Sequence, residues 1–336
     1  MNKKIFTILK FCIFFSLGIF LVWWSIQQIP QTEYEAFSKS LRTAKYWMII
    51  PVFLILSSSH VIRALRWKLL MEPMGYKPSF SNTFFAVMIG YLANFALPRL
   101  GEILKCTILA KYEHIPAEKN IGTIVAERAF DVICLLLLFV LALVLQYDEV
   151  IAAYYKMVDY SSSIKNSESS TGNYIKIFIL VFLIAFVLWI IASKKWQLLL
   201  TKTKNIFKGI VEGLLSALKL KQKNLFIIYS ILIWILYLSG TWIGLYATTG
   251  TGVGFSAAVS CLAFASIGMI LTPGGIGAYA ILIAKVLEIN EVPYALGLAN
   301  GTLQWFAQFA IIVVVGFICV ILLPIYNRNK NLSSTN

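Results

Sequence analysis

Long apolar runs separated by short polar stretches dominate the chain, and runs of this length predict membrane-spanning helices. The first, Ile5 to Ile26, ends in Trp23 and Trp24 and lacks a small-residue cleavage site, so it reads as a retained helix and not as a signal peptide. Further runs cover Tyr46 to Ile62, Phe80 to Leu97, Gly101 to Ala110 and Ile121 to Gln146. A second set covers Tyr174 to Ala192, Leu225 to Thr248, Phe255 to Leu271, Ile276 to Leu287 and Tyr294 to Leu323. The pattern divides the chain into a first transmembrane part over 1–146, a polar, Ser-rich outer linker over 147–173, a second part over 174–323 and a short tail over 324–336. Within 194–223, the apolar positions from Ile206 to Leu218 recur at helical spacing against a lysine-bearing face, which predicts an amphipathic helix on the inner leaflet.

Two segments break the helical pattern where a spanning helix should run on: ALPRLGE, with Pro98 and Gly101, and LTPGGIGAY, with Pro273, Gly274, Gly275 and Gly277. They lie 175 residues apart, and the same shift carries Phe80 and Ser81 onto Phe255 and Ser256. One offset therefore aligns several elements of the two parts. Each part would hold three crossings and one broken helix pair that returns to its own side, an odd number that inverts the second part relative to the first. The expected fold is all-α: a polytopic integral membrane protein of two inverted-topology repeats, each with a broken re-entrant helix pair. Irregular backbone at membrane depth is tolerated only where it is buried in protein or lines a cavity, so both breaks imply a polar interior. The helix amino ends near Arg99 and Gly274 would face each other there and favour an anion.

Composition fixes the class: 59% of the 336 residues are hydrophobic, 13% are charged, and mean hydropathy is +0.80, which excludes an ordinary soluble enzyme. The net charge of +14 would suggest nucleic acid in a soluble protein. Here 18 of the Lys and Arg fall on segments that are inner if the amino terminus is cytoplasmic, against six on outer ones. The positive-inside rule then puts both termini in the cytoplasm, and anionic lipid accounts for the charge without nucleic acid. The five cysteines have no metal-ligand spacing and the two histidines are far apart, so no metal site and no cofactor are expected.

The informative charges are those inside apolar segments. Arg99, Glu102 and Lys105 follow the first break at i, i+3, i+6, and Glu127, Arg128 and Asp131 lie on the next predicted helix. Such residues are costly and normally face a bundle interior or mark a pathway. Arg99, Lys105 and Arg128 would hold an anionic headgroup, with Glu102 and Glu127 meeting a cationic group or a coupling proton. Pairing of Arg128 with Asp131 and of Glu102 with Arg99 is the purely structural account. Arg63 and Arg66, in HVIRALRWKLL, read as the cytoplasmic edge of the second helix, facing lipid phosphates, with Trp67 at the interface.

At RALRW (63–67), NFALPRLGEILK (94–105), ERAFD (127–131) and TPGGIGAY (272–279) the sequence resembles the transmembrane, flippase-like domain of the lysylphosphatidylglycerol synthase family. It differs in having one residue fewer than many members between the Pro and Arg of the first break, and Lys105 where many carry Arg. The resemblance implies translocation of an aminoacylated or other polar phospholipid between leaflets of a bacterial plasma membrane. The dozen residues after the last predicted helix leave no room for the family's soluble synthase domain, so a stand-alone, non-enzymatic member is expected. The expected partners are membrane lipids, with a homodimer and a separate lipid-modifying enzyme as further possibilities. An intramembrane enzyme acting on polyprenyl-phosphate lipids and a non-transporting scaffold are the alternatives.

Overall fold

The computed structural model describes residues 18–97, 99–152 and 220–333, with Ser16 and Tyr155. The predicted helix Tyr174 to Ala192, the amphipathic stretch to Lys219 and most of the linker lie outside the described residues, as do Pro98 and most of the run from Ile5. Among the described residues all regular structure is helical. We number the helices α1 (Gly18–Gln27), α2 (Tyr34–Arg42), α3 (Ile49–Met71), α4 (Phe80–Ala96), α5 (Leu100–Glu113), α6 (Ala117–Leu145), α7 (Lys223–Leu245), α8 (Phe255–Leu271), α9 (Ala278–Ile289) and α10 (Tyr294–Ser333).

Four segments, Tyr46–Met74, Ala117–Leu145, Lys223–Leu245 and Tyr294–Arg328, are long and apolar enough to cross a membrane. Their outward faces carry large apolar side chains such as Leu137, Val144, Ile231 and Ile321, as lipid-facing helices require. The chain is a multi-pass membrane protein.

The two parts share a plan of element lengths. Helices α3 and α7 have 23 residues each and α4 and α8 have 17 each, beginning 174 and 175 residues apart. After α4 the chain passes through extended Leu97 (φ −143°) and left-handed Arg99 (φ 68°) into α5. After α8 it passes through extended Thr272 (φ −127°) and left-handed Gly274 (φ 63°), within one 3-10 turn over Pro273–Gly275, and then into α9. The same backbone event thus recurs at the same offset, with glycine in one copy and arginine in the other. Gly275 and Gly277 also adopt positive φ, which glycine alone takes without strain.

The broken pairs fold back tightly. Gly101 has an ordinary helical φ, and its place is fixed by contact: a Cβ there would lie 1.9 Å from the Gly90 carbonyl oxygen of α4. The expectation that Gly101 supplies the break is corrected, since Arg99 makes the turn and Gly101 lets α4 and α5 touch. Gly268 against Tyr279, and Gly297 and Gly301 against Ala284 and Ala280, do the same for α8, α9 and α10.

Three boundaries differ from the sequence reading. Helix α3 continues nine residues past Ile62, because its arginines find buried anions and do not stop at an interface. Helix α2 falls in the polar stretch between the first two predicted runs, where no helix is expected; its Phe37 packs onto the cluster of Ile29, Ala280, Ile281 and Leu298. Residues 147–152, the start of the expected linker, are helical, and the buried Gln146 before them donates to Asn290 Oδ1 at 2.7 Å.

Gly101→Ala is expected to lower stability by about 1–3 kcal/mol through overpacking. Gly122→Ala, at a helical position with open space around it, should raise stability by about 0.5–1 kcal/mol. Thermal unfolding of the two variants in detergent tests the pair; equal melting temperatures would mean that α4 and α5 separate at no cost.

Candidate functional site

The charged residues of the apolar segments converge because α3 and α6 lie side by side at the level where both carry ions. Arg63 stands eight residues before the end of α3, roughly 12 Å from that terminus, and Glu127 ten residues into α6, roughly 15 Å. Trp67 and Thr123 fix the register one turn further along, Nε1 donating to Oγ1 at 2.9 Å. Trp67 is fully buried, which corrects its assignment to the membrane interface.

Arg63 and Arg66 are likewise not at a cytoplasmic edge: they are 5% and 0% exposed. Arg63 Nη1 donates to Glu127 Oε1 at 3.0 Å and to Asp131 Oδ2 at 2.7 Å, and its Nη2 donates to the Tyr237 hydroxyl at 3.0 Å. Arg66 Nη2 reaches Glu127 Oε1 at 3.3 Å and Asp131 Oδ1 at 2.7 Å, while its Nη1 donates to Ser230 Oγ at 3.1 Å. Lys105, also buried, places its ammonium 3.9 Å from Glu127 Oε2 and 5.2 Å from the ring centres of both Trp67 and Tyr91. Three cations thus surround two carboxylates, an excess of one positive charge inside the protein. The ring faces offset part of that excess.

The expected pairs are replaced by others. Asp131 serves Arg63 and Arg66, not Arg128; Arg128 approaches Glu102 at 3.8 Å across a half-exposed pair; and Arg99 is exposed. The reason is register. Sequence spacing shows neighbours on one helix, whereas the strongest partners of α6 lie on α3, some 60 residues earlier.

A cavity of about 1160 Å³ opens beside this network. Arg63, Arg99, Glu102, Arg128, Asp131, Pro273 and Gly274 line it, so both breaks contribute to one space. Arg66, Lys105 and Glu127 are buried and are not part of its lining. Gly275 is buried and shapes the second break, and Gly277 packs against Leu21 and Val22 of α1. Asn94 Oδ1 accepts from the Gly101 amide at 2.8 Å and tethers the start of α5. Gly274 lies under the ring of Phe95, and its carbonyl accepts from Trp305 Nε1 at 2.7 Å.

His60, Tyr91, Tyr237 and Gln308 also line the cavity and were missed by sequence reasoning. Tyr237 could have been found: the 174-residue shift between α3 and α7 carries Arg63 onto it. His60 sits one turn before Arg63, with its ring 5.1 Å from that of Tyr91 and its Nδ1 without a hydrogen-bond partner. No group of three or more His, Cys, Asp or Glu able to hold a metal occurs among the described residues. Cys106, Cys261 and Cys319 are buried as free thiols and Cys134 is half-buried.

Residues 8–326 match the family described as the lysylphosphatidylglycerol synthase TM region. A stretch of 86 residues is 33% identical to the UPF0104 membrane protein MJ1595 of Methanocaldococcus jannaschii, covering 25% of this chain and 26% of that protein. The chain therefore spans about a quarter of the length of that curated relative. No solved structure matches.

Glu127→Gln removes the carboxylate shared by three buried cations and is expected to cost about 3–5 kcal/mol of stability. Arg128→Gln, at the half-exposed pair, should leave stability close to wild type. Unfolding in detergent, followed by tryptophan fluorescence, separates the two; a Glu127→Gln protein as stable as wild type would remove the network from the fold's foundations.

Proposed function

The chain belongs to the lysylphosphatidylglycerol synthase TM-region family, and from that premise we propose that it is a lipid translocase. It would move a polar or aminoacylated phospholipid between the leaflets of the plasma membrane. The observation that carries this reading is a cavity lined by charged and apolar side chains together. Arg63, Arg99, Glu102, Arg128 and Asp131 line it, and so do Leu262, Ile270, Leu271, Ile311 and Ile312. A lipid carries both characters too, and a site for it must receive a charged headgroup and an apolar chain together.

The path follows from the architecture we assign. The matched lengths and offsets of α3 and α7, and of α4 and α8, support two repeats of inverted topology, with the broken pairs re-entrant and both termini cytoplasmic. A headgroup entering from one leaflet would meet the charged residues between the two breaks and leave toward the other leaflet as the second break moves. The buried network joins α3, α5, α6 and α7, which would stay together as one body in that motion. Leaflet exchange needs no covalent step, and the half-exposed, cavity-lining Glu102 is the carboxylate we assign to any coupling with protons.

Reconstitution in liposomes with headgroup-labelled lipids tests the proposal. Arg128→Ala and Glu102→Gln are each expected to slow exchange about tenfold, the effect of losing about 1.4 kcal/mol at the barrier. Lys285→Gln, at an exposed pair with Glu288 outside the cavity, should exchange like wild type. Exchange that neither cavity variant alters for any lipid would exclude the proposed path.

A further inference from the structure

We infer that the crevice between α3, α7 and α10 is a second mouth of the large cavity, shut in this structure, which opens when α10 parts from α3 and α7. That a lipid leaves by it rests on the translocase reading above; the mouth itself rests on separate observations.

The first observation is position. Val52 of α3, Gly240 and Gly244 of α7, and Leu303, Gln304 and Ala307 of α10 line the crevice. Leu56, Thr241 and Gln308 line both it and the large cavity, so the two spaces adjoin. From these shared residues the crevice runs toward Ile49, where α3 begins, and Ala247, just past the end of α7. The ion network uses the other half of α3, Arg63 standing roughly 10 Å along the helix from Leu56. The crevice therefore leads from the cavity to the end of the bundle remote from the network. Its volume of about 20 Å³ is room for about one water, so the passage is closed.

The second observation is what the crevice replaces. Helices α6 and α10 begin after the same entry: left-handed His114 (φ 56°), buried Ile115 and Pro116 in one, left-handed Glu291 (φ 63°), buried Val292 and Pro293 in the other, 177 residues later. That shift carries Glu127 onto Gln304 and Asp131 onto Gln308, while the 174-residue shift of α3 onto α7 carries Arg66 onto Gly240. Where the first part holds arginines against carboxylates, the second has a glycine and two neutral amides. All three line the crevice, which is the space that an arginine fills in the first part.

The third observation is what holds the seam shut. Val52 and Leu56 of α3 meet Ile311 of α10 in one apolar cluster. The buried Asn300 of α10 donates to the Gly244 carbonyl at 3.0 Å and to Thr248 Oγ1 at 2.7 Å. These bonds are neutral, roughly half as strong as the charge-assisted ones that close the first part. The network ties α3 to α7 through Ser230 and Tyr237, since Arg66 and Arg63 donate to them. Helix α10 is instead bonded to the second break, Trp305 to the Gly274 carbonyl and Gln308 Nε2 to the Tyr279 hydroxyl, each at 2.7 Å. When the second break moves, α10 goes with it and the seam opens.

The test is thiol labelling of the full chain in liposomes, with its five cysteines replaced by alanine. Ala307→Cys, in the seam, is compared with Ala126→Cys, in the core beside the ion network; both alanines are 4% exposed. The probe is N-ethylmaleimide, which reacts with a thiolate and so with a site that water reaches. Ala307→Cys is expected to react at least about tenfold faster, the ratio for openings that differ by about 1.4 kcal/mol. A smaller ratio would overturn the inference. Leu303→Cys, in the same seam and 6% exposed in wild type, decides the matter should Ala307→Cys not fold. Once modified, the seam variant should exchange labelled lipid about tenfold more slowly than the same protein unmodified. Unchanged exchange would overturn the mouth as the lipid's path. Fast labelling in a protein that exchanges no lipid would uphold the mouth and reject translocation alone.

Discussion

Two carboxylates of α6 held between two arginines of α3 are the constraint on which the rest of this structure depends. Charges in an apolar segment are expensive unless paired and hydrogen-bonded, and Arg63, Arg66, Glu127 and Asp131 meet that condition only in one register of α3 against α6. A shift by one residue would bury four ions without partners. The network also reaches α7 through Ser230 and Tyr237 and comes within 3.9 Å of Lys105 on α5. Four helices are thereby fixed by one set of side chains. The aromatic and aliphatic cluster around Trp67, Leu109, Ile115 and Phe226 then closes over it.

The breaks become intelligible once that anchor is in place. With α5 held by Lys105, and with α4 touching it at Gly90 and Gly101, the chain must turn between Ala96 and Leu100 without unwinding either helix. An extended residue followed by a left-handed one makes the turn, and the second part repeats the device at Thr272 and Gly274. The carbonyls and amides released at these points need partners, and Asn94 and Trp305 supply two of them. Irregular backbone, the charged residues and the cavity therefore coincide for one physical reason: each is tolerable only where the others are.

Much of this was legible in the sequence. The apolar runs located the long helices, with Phe255–Leu271 recovered to the residue, because length and hydropathy decide such segments. The 175-residue offset and the concentration of ionisable residues near the first break pointed to the region that lines the cavity. What failed were statements about partners. Arg63 and Arg66 follow an apolar run as loop arginines do, and nothing local reveals that their acids stand about 60 residues later. Gly101 was read by its residue type as a breaker, whereas a contact with another helix explains it. Helix α2 is short and polar, and it is held by packing onto α9 and α10, which periodicity over nine residues does not disclose.

Arg99 adopts the backbone conformation that its counterpart assigns to glycine. A non-glycine residue there carries a cost of about 1 kcal/mol in every folded molecule. Replacement by glycine would relieve it and remove a guanidinium from the cavity in the same step. Stability and charge are thus opposed at a single codon, so a lineage or a laboratory selection driven by heat tolerance alone would shed this arginine early. The arginine at this position thus gives the cavity a charge at the expense of the scaffold.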